Sequence, residues 1–151
     1  MIVSDYLKEK FCLMELKSED KAGSIKEIAE VLAKENKIQD KEAFIDDVLE
    51  REELGSTGIG NNVGIPHART NAVKGFVIGF GRSIKGVEFK SLDGEKVNLV
   101  FLMGADPAEL NLYLRILAEL SKLLMDEAFR KALIEADSPS DVIGIIKKYE
   151  N

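Results

Sequence analysis

Val97-Asn98-Leu99-Val100-Phe101-Leu102-Met103 is the run that decides the fold. Apart from Asn98 every residue is apolar, so no alternate face is left for water, and a strand of this kind is covered on both sides. Asp93-Gly94 ahead of it marks a turn. Further upstream, Gly75 to Arg82 (Gly-Phe-Val-Ile-Gly-Phe-Gly-Arg) reads as a partner strand whose glycines let another backbone lie close. Val87 to Phe89 is a short strand or extended piece between the two. Downstream, Asp106-Pro107 opens a long helix through a cap and a first-turn proline, with Glu109 at the third helical position. Its expected buried content is Leu110, Leu112, Leu114, Ile116, Leu117, Leu120, Leu123 and Leu124. That leucine face breaks at Asp126 before it could complete a coiled-coil seam, so it is core. Asp126 to Ile134 forms another helix, and Ser138-Pro139-Ser140-Asp141 opens the last, which ends near Tyr149.

On the N-terminal side, Ile2 to Leu7 makes one helical turn and Phe11 to Leu16 alternates as a first strand. Ser24-Ile25-Lys26-Glu27 has the form of a capping box, which predicts a helix from Ser24 to about Lys34. Asp40 caps the next helix, Lys41 to about Glu53, whose apolar face is Phe44, Ile45, Val48 and Leu49. Arg51 falls near its end. On position alone, Arg51 either forms a surface pair with Asp47 four residues back or serves a site. Helices alternating with strands, one of them too apolar to face water, give an α/β layered domain. No repeat, low-complexity tract or linker divides it, so residues 1–151 read as one domain.

Composition sets the outer bounds. A chain of 151 residues, 45% hydrophobic and 32% charged, can bury a substantial core. A net charge of −6 without a basic run excludes a nucleic-acid binder. No signal peptide opens the chain, and no apolar run approaches the roughly 20 residues of a membrane helix. The expectation is a cytoplasmic protein without membrane insertion. The single cysteine, Cys12, lies among Phe11, Leu13 and Met14 and reads as core, not as a reactive thiol.

The chemistry concentrates between Arg51 and Thr70. Glycines at 55, 58, 60 and 64 and the pair Asn61-Asn62 belong where backbone turns tightly or approaches something closely. This stretch also holds the only histidine, His67. One His and one Cys do not make a zinc site. Ser56 lacks the nucleophile-elbow glycines of a hydrolase. Gly55 to Asn61 lacks the Lys-Ser/Thr ending of a P-loop, and Val63 stands where a dinucleotide fingerprint has its third glycine. What remains is His67 acting alone as a covalent nucleophile, or a structural histidine in a loop.

Gly58-Ile59-Gly60-Asn61-Asn62-Val63-Gly64-Ile65-Pro66-His67-Ala68-Arg69, with Arg51-Glu52 upstream, resembles the active-site motif of the enzyme IIA component, fructose/mannitol class, of the bacterial phosphoenolpyruvate-dependent sugar phosphotransferase system, nitrogen-regulatory IIA proteins included. The resemblance extends over essentially the whole chain. It implies a mixed sheet of about five strands flanked by helices on both faces, a layered α/β arrangement. It implies that His67 takes a phosphoryl group from phospho-HPr and passes it to a IIB component, or that the protein binds regulatory targets according to its phosphorylation state. Arg51 matches the family arginine near the phosphorylated ring, where a guanidinium can hold two phosphate oxygens. Tyr113 stands where many members have a second histidine; a phenol can donate to a phosphate oxygen but brings no positive charge. Backbone N–H groups of the glycine segment, Asn61 and Gly64 among them, together with Ser83, complete the expected phosphate support. Arg69 and Lys74 either add positive potential near the ring or are solvated surface charges. Pro66 should stiffen the approach of His67, and one ring nitrogen should donate to a backbone carbonyl. The chemistry requires no cofactor and no metal.

Overall fold

A computed structural model describes residues 2–150. The elements in order are α1 (Val3–Tyr6), a 3-10 turn (Glu9–Phe11), β1 (Cys12–Leu13), α2 (Lys21–Leu32), α3 (Lys41–Glu53), β2 (Gly58–Gly60), β3 (Val63–Gly64), β4 (His67–Arg69), β5 (Phe76–Val87) and β6 (Val97–Ala105). A second 3-10 turn (Pro107–Glu109) leads into α4 (Leu110–Leu124), α5 (Glu127–Glu135) and α6 (Pro139–Glu150).

The run around Phe101 is the sheet's centre, as its apolarity demands. β6 is buried along its whole length except at Asn98. It pairs antiparallel with β5 on one side and parallel with β3 and then β4 on the other. The path β1-β5-β6-β3-β2 carries a parallel β1 at one edge and an antiparallel β2 at the other, so the sheet is mixed, as expected, with six strands. Helices cover both faces. α2 packs Ile28 onto Gly79 and α3 packs Phe44 onto Gly104, where an added Cβ would lie 2.5 Å from the Phe44 ring. Gly79 and Gly81 of β5 therefore admit side chains, those of α2 and, at Gly81, Leu16 as well, not another backbone. α5 packs against β6, and α6 contacts α1, α5 and the first 3-10 turn.

Several boundaries differ from the local signals, each for a tertiary reason. α2 starts at Lys21, capped by the Asp20 carboxylate accepting from the Gly23 N–H at 2.7 Å, not at Ser24. Ser24 is buried and its hydroxyl donates to the Lys21 carbonyl, while Glu27 reaches back past it to the N–H groups of Lys17 and Ser18. The first strand shrinks to two residues because Phe11 closes a 3-10 turn and the Met14 carbonyl accepts from the Arg82 guanidinium instead of a ladder partner. The same guanidinium gathers the carbonyls of Leu133, Ile134 and Ala136 at the end of α5. β5 runs on through Val87 with a bulge after Arg82, so the expected separate piece is its continuation. Cys12 is buried, and burial, with Glu9 nearby, pushes its thiol up to about 12.

Candidate functional site

α3 delivers Arg51. Asp40 caps the helix by accepting from the Ala43 N–H at 3.1 Å, and Phe44, Ile45 and Val48 anchor its inner face. Arg51 lies in the last turn, where a cation suits the helix dipole, and its Nη1 donates to the Gly55 carbonyl at 3.1 Å. No ion pair joins it to Asp47 among the described residues. Asp47 instead accepts from the Thr70 hydroxyl, which itself accepts from the Ala72 N–H.

The glycine segment forms ladder structure where the sequence reading placed turns. β2 and β3 make a hairpin whose two-residue connection is Asn61 (φ 57) and Asn62 (φ 63), the left-handed pair that a type I′ turn requires. The chain then lies alongside β6, with Val63 opposite Leu99 and His67 opposite Met103. Pro66 interrupts the ladder's donors but its carbonyl accepts from the Met103 N–H at 3.0 Å. The proline holds its own φ and keeps Ile65 extended. That turns the Ile65 carbonyl toward the ring of His67, whose Nδ1 lies 2.6 Å from it. Nδ1 therefore carries the proton and donates. Nε2 keeps its lone pair and has no hydrogen-bond partner among the described residues.

Alternation along β4 buries Ala68 and sends His67 and Arg69 to the other side. Both line a hollow of about 820 Å³ together with Arg51, Leu54, Pro107 and Tyr113. Tyr113, on the first turn of α4, is nearly buried, and its ring meets His67 edge-on with centroids 5.7 Å apart. Burial pushes the imidazole below its ordinary 6.5; the Ile65 hydrogen bond opposes this, Arg51 reinforces it, and Glu52 opposes it. Burial raises the Tyr113 phenol, with Arg69 and Arg51 pulling it the other way. The ring is thus held toward its neutral form, in a hollow where Arg51 and Arg69 stand together with Asp40, Asp47 and Glu50. Such a site can accept a group carrying negative charge without first losing a proton.

The expected set is only partly brought together. His67, Arg51, Arg69 and Tyr113 converge; Ser83, Asn61, Gly64 and Lys74 do not line the hollow. Ser83 is buried on β5, where its hydroxyl accepts from the Gly86 N–H. Asn61, at the hairpin tip, lines a separate hollow with Asn98 and Arg130. Gly64 lacks a side chain because the Phe89 ring would lie 3.0 Å from its Cβ. Sequence reasoning gave Glu52 no place of its own. It is buried under the end of α3 against Lys21 and Thr57. The available signal was a carboxylate directly after Arg51 in a helix whose remaining inner face is apolar.

Among the described residues, no group of three or more His, Cys, Asp or Glu is placed to share a metal ion, and no helix is long and apolar enough to cross a membrane. The sequence model described as "Phosphoenolpyruvate-dependent sugar phosphotransferase system, EIIA 2" matches residues 5–149. The PTS system fructose-specific EIIABC component of Bacillus subtilis is 39% identical over 150 residues, 99% of this chain but 24% of that protein's length. The PTS system fructose-specific EIIA component of Haloferax volcanii is 35% identical over 83% of this chain and 82% of its own length. The crystal structure of nitrogen regulatory protein IIA-Ntr from Neisseria meningitidis superposes with a TM-score of 0.88 at 25% identity, over 95% of this chain and 98% of that one.

Proposed function

Since the chain belongs to the EIIA 2 family of the phosphoenolpyruvate-dependent sugar phosphotransferase system, we propose that it is a phosphocarrier working through His67. The whole chain acts as one IIA domain in the cytoplasm. The Nε2 lone pair attacks the phosphorus of the phosphohistidine on HPr. The donor N–P bond breaks, and its electron pair stays on the donor nitrogen. Transfer is in line and loose, with charge spread over the equatorial oxygens. Arg51 and Arg69 stabilise that charge, and the Tyr113 hydroxyl donates to one oxygen. The phosphorylated ring gains positive character, so the Nδ1–H bond to the Ile65 carbonyl strengthens as the group arrives. The reverse geometry hands the group to a IIB component, which drives sugar uptake and phosphorylation. Leu54, Leu110 and Leu114, exposed beside the hollow and on the turns around Tyr113, suit a partner's apolar contact.

The observation that carries this reading is a single imidazole with Nδ1 tied to its own backbone and Nε2 left without a partner among the described residues, in a hollow that also holds the guanidinium groups of Arg51 and Arg69. Intact-mass analysis after incubation with phosphoenolpyruvate, enzyme I and HPr tests it. The parent should gain one acid-labile phosphoryl group and His67→Ala none; an unmodified, folded parent beside an active control IIA would remove the reading. The likeness to nitrogen regulatory protein IIA-Ntr supports a second role, binding of target proteins according to phosphorylation state. Offering candidate IIB proteins to the phosphorylated chain separates the two, since only a transport component passes the group on.

A further inference from the structure

Glu52 has only 3% of its side chain exposed, and a carboxylate so placed is costly unless it is paired and hydrogen-bonded. It meets both conditions. Lys21 Nζ lies 2.9 Å from its Oε1, and Thr57 donates both its N–H, at 3.1 Å, and its hydroxyl. Lys21 is itself largely covered, and its ammonium stands over the Phe89 ring at 5.1 Å. Thr57 is buried as well.

Between Glu52 and Thr57 the chain has little other anchorage. Glu53, Leu54 and Gly55 are exposed, Leu54 to 83%; the Leu54 and Gly55 N–H groups only bond back to the Arg51 and Glu52 carbonyls of the helix end, and Ser56 ties the stretch to the Phe89 carbonyl at 2.9 Å. Yet the guanidinium of Arg51 rests on the Gly55 carbonyl inside this stretch. A buried ion pair rarely stabilises a fold more than apolar residues of the same volume would, so its use here is better explained by the direction it imposes. Resting on the phosphocarrier reading above, we infer that Glu52 is a positioning residue for phosphoryl transfer: the buried Lys21–Glu52–Thr57 lock holds the end of α3 and the chain into β2 so that Arg51 is aimed at His67. Neither Glu52 nor Thr57 lines the hollow, so the lock reaches it through Arg51, apart from the direct field of the Glu52 carboxylate on the ring.

The experiment uses the full chain with Glu52→Gln and Thr57→Val, each in the parent and in an Arg51→Ala background. Single-turnover transfer from phospho-HPr and the pKa of the lone imidazole by NMR are read together. The charges acting on that ring are Arg51 and Glu52, with Arg69, Asp40, Asp47 and Glu50 lining the same hollow and Tyr113 against its edge, so Thr57→Val is the variant that removes none of them. In the parent both variants should slow transfer roughly tenfold, within the range of coupled neighbours, and once Arg51 is alanine Thr57→Val should slow it by less than about twofold. Thr57→Val should raise the ring pKa toward its ordinary value only while Arg51 is present; Thr57→Ser, which keeps the hydroxyl, should behave as the parent. Equal slowing in both backgrounds, or parent rates and ring pKa in folded variants, would overturn the inference. Should Glu52→Gln fail to fold, the two Thr57 variants decide it. A parent that accepts no phosphoryl group would refute the carrier reading, and the ring pKa would still report whether the lock aims Arg51.

Discussion

Replacing Arg51 by alanine removes a guanidinium with five N–H donors, of which one is committed to the Gly55 carbonyl. The others face a hollow where a transferring phosphoryl group would present three equatorial oxygens, and a planar fork meets two of them. Charge-assisted bonds contribute about 1.5–3 kcal/mol each, but part of that is already gained by phosphohistidine in its ground state and part is screened by water in the open hollow. The portion specific to the transition state is then about 2–4 kcal/mol, or roughly 30- to 900-fold in rate. The fold should barely notice, because Arg51 is only half-buried and a favourable cation at a helix C-terminus is worth about 0.3–1 kcal/mol. Arg51→Lys keeps the charge and loses the fork, so it should fall between parent and alanine. Quenched-flow transfer from phospho-HPr, with thermal melts as the control, measures all three proteins. A rate for Arg51→Ala within about threefold of the parent would put the guanidinium outside the transition state. Equal rates for lysine and alanine would show that the fork, not the charge, is the whole effect.

The imidazole of His67 should titrate below 6.5 by NMR, and Arg51→Ala should move it upward, since that removes a cation that disfavours the protonated ring. Because its folded value is depressed, the ring's contribution to stability is complete above 6.5 and is lost as pH falls through the folded value; melts across that window check the sign. Glu150 accepts from the N–H groups of Ile2, Val3 and Ser4 and from the Ser4 hydroxyl, closing α6 onto the start of α1. Burial raises its carboxyl, but these bonds together outweigh it and hold it below 4.5. Glu150→Gln should therefore cost about 1 kcal/mol at neutral pH, the scale of a helix cap, and the parent's advantage should fade as pH falls below 4.5. Chemical denaturation at pH 7 and at acid pH compares the two, and a constant difference would discard the account. Gly104→Ala places a Cβ 2.5 Å from Phe44 and 3.0 Å from Val73, so it should destabilise by about 1–3 kcal/mol, read as a lower melting temperature. An unchanged melt would mean that α3 does not seat on β6 as described.

The central strand could be read from residues 97–103 because an unbroken apolar run leaves water no face. Asp40, Asp126 and Ser138 could be read as caps because capping is local: each side chain bonds a backbone N–H two or three residues on. His67 stood out because it is the only imidazole and follows a proline, and the same proline explains why its Nδ1 meets the Ile65 carbonyl two residues back. Other features depended on groups far away along the chain. Val63, Gly64 and His67 to Arg69 became strands because β6 offered them unpaired backbone, a partner more than thirty residues distant that no local pattern announces. Ser24 had the form of a cap, but Asp20 takes that place, with Glu27 drawn instead to Lys17 and Ser18. Ser83 and Asn61 carry suitable chemistry but are turned away from the ring by the β5 ladder and the hairpin. The convergence of Tyr113 on His67, and the burial of Glu52 beneath Arg51, arise where α4 and α3 meet the sheet. Local sequence determined which groups could react; long-range pairing decided which of them share one hollow.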